Sequence, residues 1–420
     1  MSRKLVHLIG FLILAILLVS ACQSRRNTTP PQPGSTPMPP TAKLQPSATP
    51  LPSATVAIPL TASPMPSVPV AFIDSGQDLG QGDGVAVVVC DVDGDGDNDA
   101  LISNTDIGSS LLLNDGAGNF TLSRQVFESS TNAALGDLNG DESPDIFFTG
   151  EKRNEVWLND GKGVFSNSNQ ELISLESSSI ALGDLDRDGD LDAFITNWNN
   201  HPDQVFLNDG NGNFSDSGQK LGNWFGYDVA LGDVDQDGDL DALVANNGEA
   251  SDNATVLWLN DGTGKFTDSD QRLGFTNAYA VALGDLDDDG DLDAFIANSS
   301  HRGAYPADKV WLNDGKGGFF DSGQSLGTFY SLTVALGDLD HDGDLDAFTG
   351  SWNISARIWL NDGKGNFSDA RLKIYSPNNA GAAIADMDAD GDLDIFVSTN
   401  TWNGGDGRPK LWLNQLEATD

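Results

Sequence analysis

The amino-acid sequence predicts an all-β protein in which a unit of about 50 residues repeats seven times and closes into a ring. The first observation is an acidic nine-residue pattern, seen in full at Asp184–Asp192, with Asp at positions 1, 3, 5, 7 and 9 and Gly at position 6. The second is that seven copies of this pattern follow one another at intervals of 46 to 53 residues. The third is that only short apolar or alternating runs lie between the copies, and none has the period of a helix.

Each unit contains four predicted antiparallel strands, which we call A to D, and the fifth unit shows them in order. Strand A lies in Val281–Asp285, strand B in Leu292–Asn298, strand C in Lys309–Gly315 and strand D in Gly317–Gly323. The A–B turn is the acidic pattern, which we call the Asp loop. The C–D turn is a glycine-rich Asn-Asp-Gly-x-Gly hairpin. Four short strands in a unit of this length predict one blade of a β-propeller.

The two ends of the repeat region predict how the ring closes. The seventh unit reaches strand C at Leu411–Asn414 and shows no strand D after it. The missing strand is found at the front, because Phe72–Gly80 matches Phe214–Gly222 of the third unit. We therefore expect a seven-bladed β-propeller with four antiparallel strands per blade, closed by the N-terminal strand completing the last blade.

The first 21 residues have the features of an export signal. Arg3 and Lys4 precede the apolar run Leu8–Val19, which is shorter than the roughly 20 residues of a membrane-spanning helix. Val19–Cys22 resembles the lipobox of bacterial lipoproteins. The resemblance implies that Cys22 becomes the lipidated first residue of the mature protein, carrying the several acyl chains that stable anchoring requires. An ordinary cleaved signal with an incidental Cys is the alternative.

Residues 22–70 are expected to form a stalk without a core. Residues 23–70 contain 13 of the 18 prolines of the chain, with Ser, Thr and Ala between them. Such a composition favours extended polyproline-like conformations and buries little apolar surface. The predicted organisation is a signal peptide at 1–21, a Pro/Ser/Thr-rich disordered stalk at 22–70, the propeller at 71–414 and a tail at 415–420.

The charge of the chain is concentrated in the Asp loops. The formal net charge is −41, and the seven loops hold 35 of the 63 acidic residues. Like charges at this density destabilise a compact state unless cations bind or screen them. Nucleic acid is excluded as an expected partner, because the sequence has no basic patch to neutralise phosphates.

The repeat itself resembles a known family. Segments such as Asn223–Asp241 are similar to the FG-GAP and VCBS repeats of integrin α-chain propellers and of many bacterial surface proteins, and the resemblance covers about residues 71–414. The chain departs from the integrin pattern in two places. The Phe-Gly pair occurs only at Phe225 and Gly226, and the Gly-Ala-Pro element is replaced, for example by Ala245–Asn247. These departures favour a VCBS-like bacterial repeat.

The Asp loops are predicted calcium sites. Six to eight oxygen ligands at about 2.3–2.6 Å suit Ca²⁺, whereas Mg²⁺ demands tighter octahedral geometry and soft metals need Cys or His. The family resemblance implies that the side chains at positions 1, 3, 5 and 9 and the backbone carbonyl at position 7 hold the ion. An EF-hand is excluded, because Ile195 stands where its twelfth-position Glu would be. A solvated acidic turn without metal is the alternative. The residues at the ligand positions of the six full loops are Asp91, Asp93, Asp95, Asp97 and Asp99; Asp184, Asp186, Asp188, Asp190 and Asp192; Asp233, Asp235, Asp237, Asp239 and Asp241; Asp285, Asp287, Asp289, Asp291 and Asp293; Asp338, Asp340, Asp342, Asp344 and Asp346; and Asp386, Asp388, Asp390, Asp392 and Asp394.

The second Asp loop differs from the other six. It keeps ligand residues at positions 1, 3, 5 and 9, which are Asp137, Asn139, Asp141 and Asp145. Glu142 replaces the turn glycine at position 6, and a positive φ is costly for Glu but not for Gly. We therefore predict six strong calcium sites and a seventh that is weak or empty.

The aromatic residues separate into two sets. Five of the nine Trp recur in strand C, which predicts packing between blades: Trp157, Trp258, Trp311, Trp359 and Trp412. The other four Trp and all five Tyr fall in B–C or D–A loops, on the face opposite the Asp loops: Trp198, Trp224, Tyr227, Tyr279, Tyr305, Tyr330, Trp352, Tyr375 and Trp402. Aromatic residues gathered on one face of a rigid scaffold suggest a binding surface for protein or glycan. Alternatively, several of them fill the central channel or cover the core, Tyr227 and Tyr279 especially.

These observations predict a calcium-binding, lipid-anchored module of the cell envelope that is monomeric and binds an extracellular protein or glycan. They do not predict an enzyme. The three histidines of the mature chain, His201, His301 and His341, lie in different units, and no catalytic triad order is present. The alternative is a polysaccharide lyase or hydrolase on a propeller scaffold, since a fold does not by itself decide function.

Overall fold

The computed structural model describes residues 70–247, 254–274, 277–299, 306–352, 355–372, 374–375, 378–401 and 405–416. Within these ranges the chain is all β, with seven sheets arranged as the blades of a propeller. None of the described residues forms a helix long and apolar enough to cross a membrane. The predicted signal peptide and stalk, with Cys22, lie outside the described residues.

Strand bounds follow the predicted order of four strands per blade. The first three blades contain β2 (Gly84–Cys90), β3 (Asp99–Asn104), β4 (Ser110–Leu113) and β5 (Thr121–Leu122); β6 (Asn132–Gly136), β7 (Asp145–Thr149), β8 (Arg153–Asn159), β9 (Phe165–Asn167) and a short added strand, β10 (Leu172–Ile173); and β11 (Ser177–Gly183), β12 (Asp192–Asn197), β13 (Gln204–Asn208) and β14 (Phe214–Asp216). The fourth and fifth blades contain β15 (Gly226–Gly232), β16 (Asp241–Asn246), β17 (Thr255–Asn260) and β18 (Phe266–Leu273); and β19 (Ala278–Gly284), β20 (Asp293–Asn298), β21 (Lys309–Leu312) and β22 (Phe320–Asp321). The sixth and seventh blades contain β23 (Ser331–Gly337), β24 (Asp346–Ser351), β25 (Arg357–Leu360) and β26 (Ser368–Asp369); and β27 (Asn379–Ala385), β28 (Asp394–Thr399), β29 (Lys410–Asn414) and β1 (Phe72–Asp74).

The ring is closed in two ways, as the sequence predicts. The A strands of neighbouring blades contact one another all the way round, and β27 of the last blade contacts β2 of the first. In addition, β1 pairs antiparallel with β29, with Phe72 opposite Asn414. The Lys410 Nζ lies 3.0 Å from Asp74 Oδ2 across this pair. The N-terminal strand is therefore the fourth strand of the seventh blade.

The core lies between blades, around strand B. Strand B is buried along its length in every blade, and in five blades its central Phe is 0% exposed: Phe147, Phe194, Phe295, Phe348 and Phe396. Each apolar cluster joins residues of two neighbouring blades, and strand C tryptophans such as Trp258 and Trp412 belong to these clusters. Their predicted packing role is confirmed. Truncating one such Phe to Ala costs about 3–5 kcal/mol in proteins generally, so the blades stabilise one another.

A glutamine near the end of strand D, in most blades a few residues after it, holds each blade to the next at six of the seven junctions. Gln219 shows the geometry: its Nε2 donates to Gly264 O at 2.7 Å, and its Oε1 accepts from Phe266 N at 2.9 Å. The glutamines are Gln77, Gln125, Gln170, Gln219, Gln271 and Gln324. The closing strand β1 is followed by the first of them, so the N-terminal strand also binds blade 1.

Blade 2 departs from the shared geometry. The A strands of the other six blades carry a β-bulge near their first residues, whereas β6 pairs with β7 without a register shift. Its B–C loop consists only of residues 150–152, while the same loop spans 198–203 in blade 3 and 299–308 in blade 5. These differences shape the face opposite the Asp loops.

Candidate metal sites and the opposite face

Position 9 anchors each Asp loop to strand C of its own blade. In the third loop, Asp192 Oδ2 accepts from Leu185 N at 2.9 Å and Oδ1 accepts from Asn208 N at 2.8 Å. The same pair of bonds occurs in all seven blades. Burial raises the pKa of the Asp192 carboxyl to about 7, and the two N–H bonds offset part of that rise. A nearby cation would favour the ionised form.

Position 1 supplies carboxylate oxygens that lack a donor. In five loops the Oδ1 of this residue is buried and has no hydrogen-bond partner among the described residues: Asp184, Asp233, Asp285, Asp338 and Asp386. The other oxygen accepts a hydrogen bond from a backbone N–H; in the third loop, Asp184 Oδ2 accepts from Gly189 N at 3.2 Å. A buried anion without a partner is expensive, and a bound metal ion would remove that cost.

Positions 1, 3 and 9 come together in space. In four loops these three carboxylates offer oxygens that all lie within 4.8 Å of one another: Asp91, Asp93 and Asp99; Asp184, Asp186 and Asp192; Asp233, Asp235 and Asp241; and Asp338, Asp340 and Asp346. In the fifth loop the same closeness joins positions 1, 3 and 5, which are Asp285, Asp287 and Asp289. Burial, and then the charge of position 5, raises the pKa of the position 3 carboxyl, for example Asp186. The donors are all oxygen and their charges repel, so these clusters could hold a hard metal ion.

The second loop satisfies its position 1 carboxylate differently. Asp137 Oδ1 accepts from Asn139 N, Gly140 N and Asp141 N at 3.3, 2.7 and 3.1 Å, and its Oδ2 accepts from Glu142 N at 2.8 Å. Glu142 adopts a left-handed φ of 69°, whereas the glycines at position 6 have φ of 91–103°. Both oxygens of Asp137 therefore have backbone donors, as do those of Asp91 in the first loop, which accept from Gly94 N and Gly96 N at 2.8 and 3.0 Å. The weak or empty seventh site stays a prediction, which rests on Glu142 and on the larger number of donors around Asp137.

Position 4 contacts the next blade, a role that the sequence analysis missed. Arg187 pairs with Asp239, Gln236 bonds to Asp291, and His341 Nδ1 lies 3.7 Å from Asp392 Oδ1. In each case position 4 of one loop meets position 7 of the next loop. All five non-glycine residues at position 4 have φ between 58° and 65°. Their spacing is visible in the sequence, but the left-handed backbone and the contact across blades are not.

The Asn of the Asn-Asp-Gly turn couples neighbouring Asp loops and was also missed. Asn313 Nδ2 donates to Val234 O at 2.8 Å in the preceding blade and to Leu292 O at 3.1 Å in its own blade. Both carbonyls belong to Asp loops. The equivalent residues are Asn114, Asn159, Asn208, Asn260, Asn313, Asn361 and Asn414. The invariable position of this Asn within the seven repeats is the sequence signal that could have pointed to it.

On the opposite face, a cavity of about 480 Å³ opens at the mouth of the central channel. We call it the channel mouth. It is lined by the first residues of the A strands and by four of the predicted aromatic candidates: Trp198, Tyr227, Tyr279 and Trp352. The ring centroids of Tyr227 and Tyr279 are 4.5 Å apart, and those of Trp198 and Tyr227 are 6.0 Å apart. Burial raises the pKa of both phenols. The channel mouth therefore offers uncharged aromatic surface.

The remaining aromatic candidates lie elsewhere. The ring centroid of Trp224 lies 6.0 Å from that of Trp258, and the Arg272 guanidinium lies 5.4 Å from the Trp224 centroid. Trp224 therefore belongs to the packing between blades 3 and 4. Tyr375 is 70% exposed, and neither it nor Tyr330 lines the channel mouth. Tyr305 and Trp402 lie outside the described residues.

Comparisons with known proteins agree with this architecture. A sequence model described as the FG-GAP-like repeat matches residues 137–195, 184–244, 233–296, 285–349 and 350–397. The structure of BBS1N in complex with ARL6DN, from crystals soaked with mercury, has a TM-score of 0.54 at 10% identity, covering 84% of this chain and 99% of that one. The structure of the same complex soaked with lead has a TM-score of 0.53 at 10% identity, covering 85% of this chain and 99% of that one. At such identity the likeness shows the fold alone.

A lectin of Agrocybe aegerita, solved to explain specific recognition of non-reducing terminal N-acetylglucosamine, has a TM-score of 0.46 at 19% identity, covering 82% of this chain and 88% of that one. The comparison with curated proteins gives no match. The matched repeats extend over residues 137–397, which is more than half of the chain. Together with the seven-bladed fold, they show that this chain belongs to the family of FG-GAP-like repeat proteins.

Proposed function

We propose that this protein is a calcium-loaded interaction module, held at the cell envelope by a lipid anchor, that binds an extracellular protein or glycan through the face opposite its Asp loops. The observation that carries the proposal is the separation of two chemistries. One face holds carboxylate clusters with buried, partnerless oxygens, and the other holds an aromatic-lined cavity.

Calcium is the ion that best fits the clusters. The ligands are carboxylates and backbone carbonyls in loops whose left-handed residues allow sharp turns, and flexible all-oxygen sites suit Ca²⁺ better than Mg²⁺. In this proposal Asp184, Asp186, Asp188 and Asp192 hold the ion in the third loop with the carbonyl of Asp190. The ion supplies charge neutralisation and fixes the turn between strands A and B. No ligand exchange at the ion is required for binding on the other face.

A binding role fits the opposite face better than catalysis does. Tyr227, Tyr279 and Trp198 present rings to the channel mouth, and rigid aromatic side chains are frequent anchors of interfaces. Of the described histidines, His341 belongs to an Asp loop and His201 lies beside Trp198, with His201 N 3.0 Å from Trp198 O. They therefore lie on opposite faces of the ring and do not form one site.

Ligand screening tests the interaction role. Full-length protein in calcium is applied to a glycan array and to purified envelope and matrix proteins, beside the variants Trp198→Ala and Tyr227→Ala. We expect at least one ligand whose binding weakens tenfold or more in both variants, while Phe320→Ala, an exposed aromatic on the outer strand of blade 5, leaves it unchanged. Absence of any ligand, or equal binding by all four proteins, would contradict the proposal.

The anchor is tested separately. Wild-type chain and Cys22→Ser are expressed in a bacterium with radiolabelled palmitate, and membranes are separated from soluble envelope contents. We expect label and membrane association in the wild type and neither in the variant. Unlabelled wild-type protein that is released in soluble form would show that residues 1–21 act as an ordinary cleaved signal.

A further inference from the structure

A second cavity, of about 810 Å³, lies between blades 1 and 2 on the same face as the channel mouth. We call it the blade 1–2 cleft. Its floor contains Phe127 and Phe148, which are 3% and 4% exposed and whose rings lie 5.3 Å apart. The cleft exists because the B–C loop of blade 2 is only residues 150–152, so this blade does not cover its neighbour as the longer loops do.

The channel mouth and the blade 1–2 cleft adjoin each other. Thr105, Thr131 and Glu151 line both cavities. The two together therefore form one groove, which runs from the centre of the ring outward between the first two blades. A single drug-sized ligand fills about 300–1,000 Å³, so a groove of this size suits a chain of several units.

The inner end of the groove has an unsatisfied donor beside aromatic rings. Trp198 Nε1 is buried and has no acceptor among the residues that the structure describes. A buried donor left without a partner costs about 1–3 kcal/mol. Because this nitrogen is buried, a ligand oxygen reaches it only when the indole turns outward, whereas the rings of Tyr227 and Tyr279 already offer flat apolar surface to a ligand.

At the outer end of the groove, Arg153, Glu128 and Glu155 are paired with one another, and the exposed Glu151 and Lys152 add one charge of each sign. The Arg153 guanidinium lies 2.7 Å from Glu128 Oε1 and 2.6 Å from Glu155 Oε1. Glu155 Oε2 also accepts from Trp157 Nε1 at 2.8 Å. A cationic ligand would have to compete with Arg153 for these carboxylates. The carboxylates therefore add little to the binding free energy of such a ligand.

The other carboxylates of the groove are largely satisfied as well. Asp106 Oδ1 accepts from Asp83 N at 2.9 Å and from Ile107 N at 2.8 Å. At the channel mouth, Asp228 accepts from Ser179 Oγ at 2.9 Å and from Val281 N at 3.1 Å. An anionic ligand is opposed by the net charge of −41. The groove therefore favours a neutral ligand.

We propose that this groove binds a neutral oligosaccharide chain of several sugar units, lying from the channel mouth into the blade 1–2 cleft. A pyranose ring has an apolar C–H face, which stacks on the aromatic rings at the inner end, and a rim of hydroxyls. The hydroxyls remain in water or donate to Thr105 Oγ1, whose own proton goes to Asp83 Oδ2 at 3.0 Å. This inference rests on the proposed function, since it requires that the aromatic face be the ligand face.

Chain length is the variable that tests the groove. Full-length protein in calcium is titrated calorimetrically with two- and six-unit members of the cellulose, xylan, mannan and chitin series, and with a hexalysine peptide. We expect one hexasaccharide to bind at least tenfold more tightly than its disaccharide. Trp198→Ala should weaken the binding of the hexasaccharide and of the disaccharide by tenfold or more. Trp198→Phe, which keeps a ring but lacks the N–H donor, should weaken the binding of both sugars less.

Glu151→Trp separates the groove from a simple pocket. Glu151 is exposed at the junction of the two cavities, so a bulky side chain there narrows the passage without entering the core. We expect the variant to bind the disaccharide as the wild type does and to lose the advantage of the hexasaccharide. Tyr375→Ala, an exposed aromatic away from the groove, should change neither, and melting curves verify that every variant is folded.

The outcomes distinguish this inference from the proposed function. Equal affinity for two and six units, or a length advantage that survives in Glu151→Trp, would overturn the continuous groove. Binding of hexalysine or of a protein, lost in Trp198→Ala while no sugar binds, would overturn the neutral glycan and leave the interaction module standing. If neither the wild type nor the variants of channel-mouth residues bound any partner, this inference and the proposed function would both be overturned.

Discussion

At the scale of single residues, Glu142 distinguishes the second Asp loop from the other six. Its left-handed φ of 69° costs of order 1 kcal/mol for a residue with a side chain, and four backbone N–H groups occupy the Asp137 carboxylate. We predict that Glu142→Gly lets this loop adopt the conformation of the others and bind calcium more tightly. Calorimetric titration should then report seven strong sites in the variant, against the six that we expect in the wild type.

The reverse substitution is the matched control for this prediction. Gly189 has a φ of 99°, a value that side-chain-bearing residues rarely adopt. Gly189→Glu should therefore weaken the third site and reduce the number of strong sites by one. Seven equal sites in the wild-type protein, or no change in either variant, would show that position 6 does not control affinity.

A buried carboxyl away from the Asp loops gives a pH-dependent prediction. Asp308 is 1% exposed, accepts from Asn298 N and from Ser331 Oγ, both at 2.8 Å, and burial raises its pKa to about 7. The folded state therefore binds a proton more tightly than the unfolded state does. Because the unfolded carboxyl already ionises near pH 4, the cost of burying the charge develops as pH rises from about 4 to 7.

Asp308→Asn removes that cost. We predict that the variant gains stability relative to wild type as pH rises from 5 to 7, by about 2 kcal/mol, measured by denaturant unfolding in saturating calcium. Asp216→Asn, on the exposed outer strand of blade 3, serves as the control and should show no such trend. A difference between Asp308→Asn and wild type that stays constant with pH would contradict the sign of the shift.

At the scale of elements, the Asn-Asp-Gly turn couples adjacent loops. Asn313→Ala removes the bonds to Val234 O and Leu292 O; Val234 O keeps a bond from Gly317 N at 2.9 Å, but Leu292 O loses its donor. We predict a loss of about 1–2 kcal/mol in the free energy of unfolding, because a buried bond to Val234 O is removed and a partly buried carbonyl loses the donor of Asn313. Chemical denaturation in calcium measures this.

Asn211→Ala provides the comparison. Asn211 sits at the exposed tip of the equivalent turn in blade 3, where its side chain bonds within the turn, to Asp209 O at 3.0 Å. Its removal should change the free energy of unfolding by less than about 0.5 kcal/mol. Equal losses in the two variants would mean that the bond across blades adds nothing specific.

Elements also show where sequence reasoning succeeds and where it stops. Strands A to D could be predicted because alternation, Gly-rich turns and a sevenfold repeat all constrain the same boundaries. The bonds of Gln219 and Asn313 could not, because each joins residues of different blades, and their partners depend on the ring being assembled. Trp224 illustrates the same limit: its loop position suggested a ligand face, but it is half-buried and packs on Trp258 and Arg272 at the edge of a core cluster.

At the scale of the whole molecule, the sequence predicts seven blades and their closure because Phe72–Gly80 supplies the strand that the last unit lacks. The groove on the opposite face could not be predicted. It depends on the three-residue B–C loop of blade 2, and the shortness of this loop can be seen in the sequence. It also depends on the neighbouring blade leaving the space above that loop open, which the sequence does not show. Repeats predict the scaffold, whereas departures from the repeat create the individual site.

The last prediction concerns the ring as a unit. Seven carboxylate loops in a chain of net charge −41 repel one another, and the Asn and position 4 contacts connect each loop to its neighbours. Ions that bind only the folded ring stabilise it by mass action, by about 2.7 kcal/mol per site at a concentration one hundred times the Kd. We predict that EGTA lowers the Tm and that added CaCl2 restores it, whereas equimolar MgCl2 does not.

Sodium chloride separates ligation from screening. Concentrated salt shortens the range of repulsion between exposed carboxylates, so it should raise the Tm of the EGTA-treated protein. It cannot supply a partner to buried oxygens such as Asp184 Oδ1 and Asp233 Oδ1. We therefore expect the Tm in salt to remain below the Tm in calcium. If salt alone restored the full Tm, the Asp loops would act only as a repulsive surface, and if EGTA left the Tm unchanged, ions would contribute nothing to the ring.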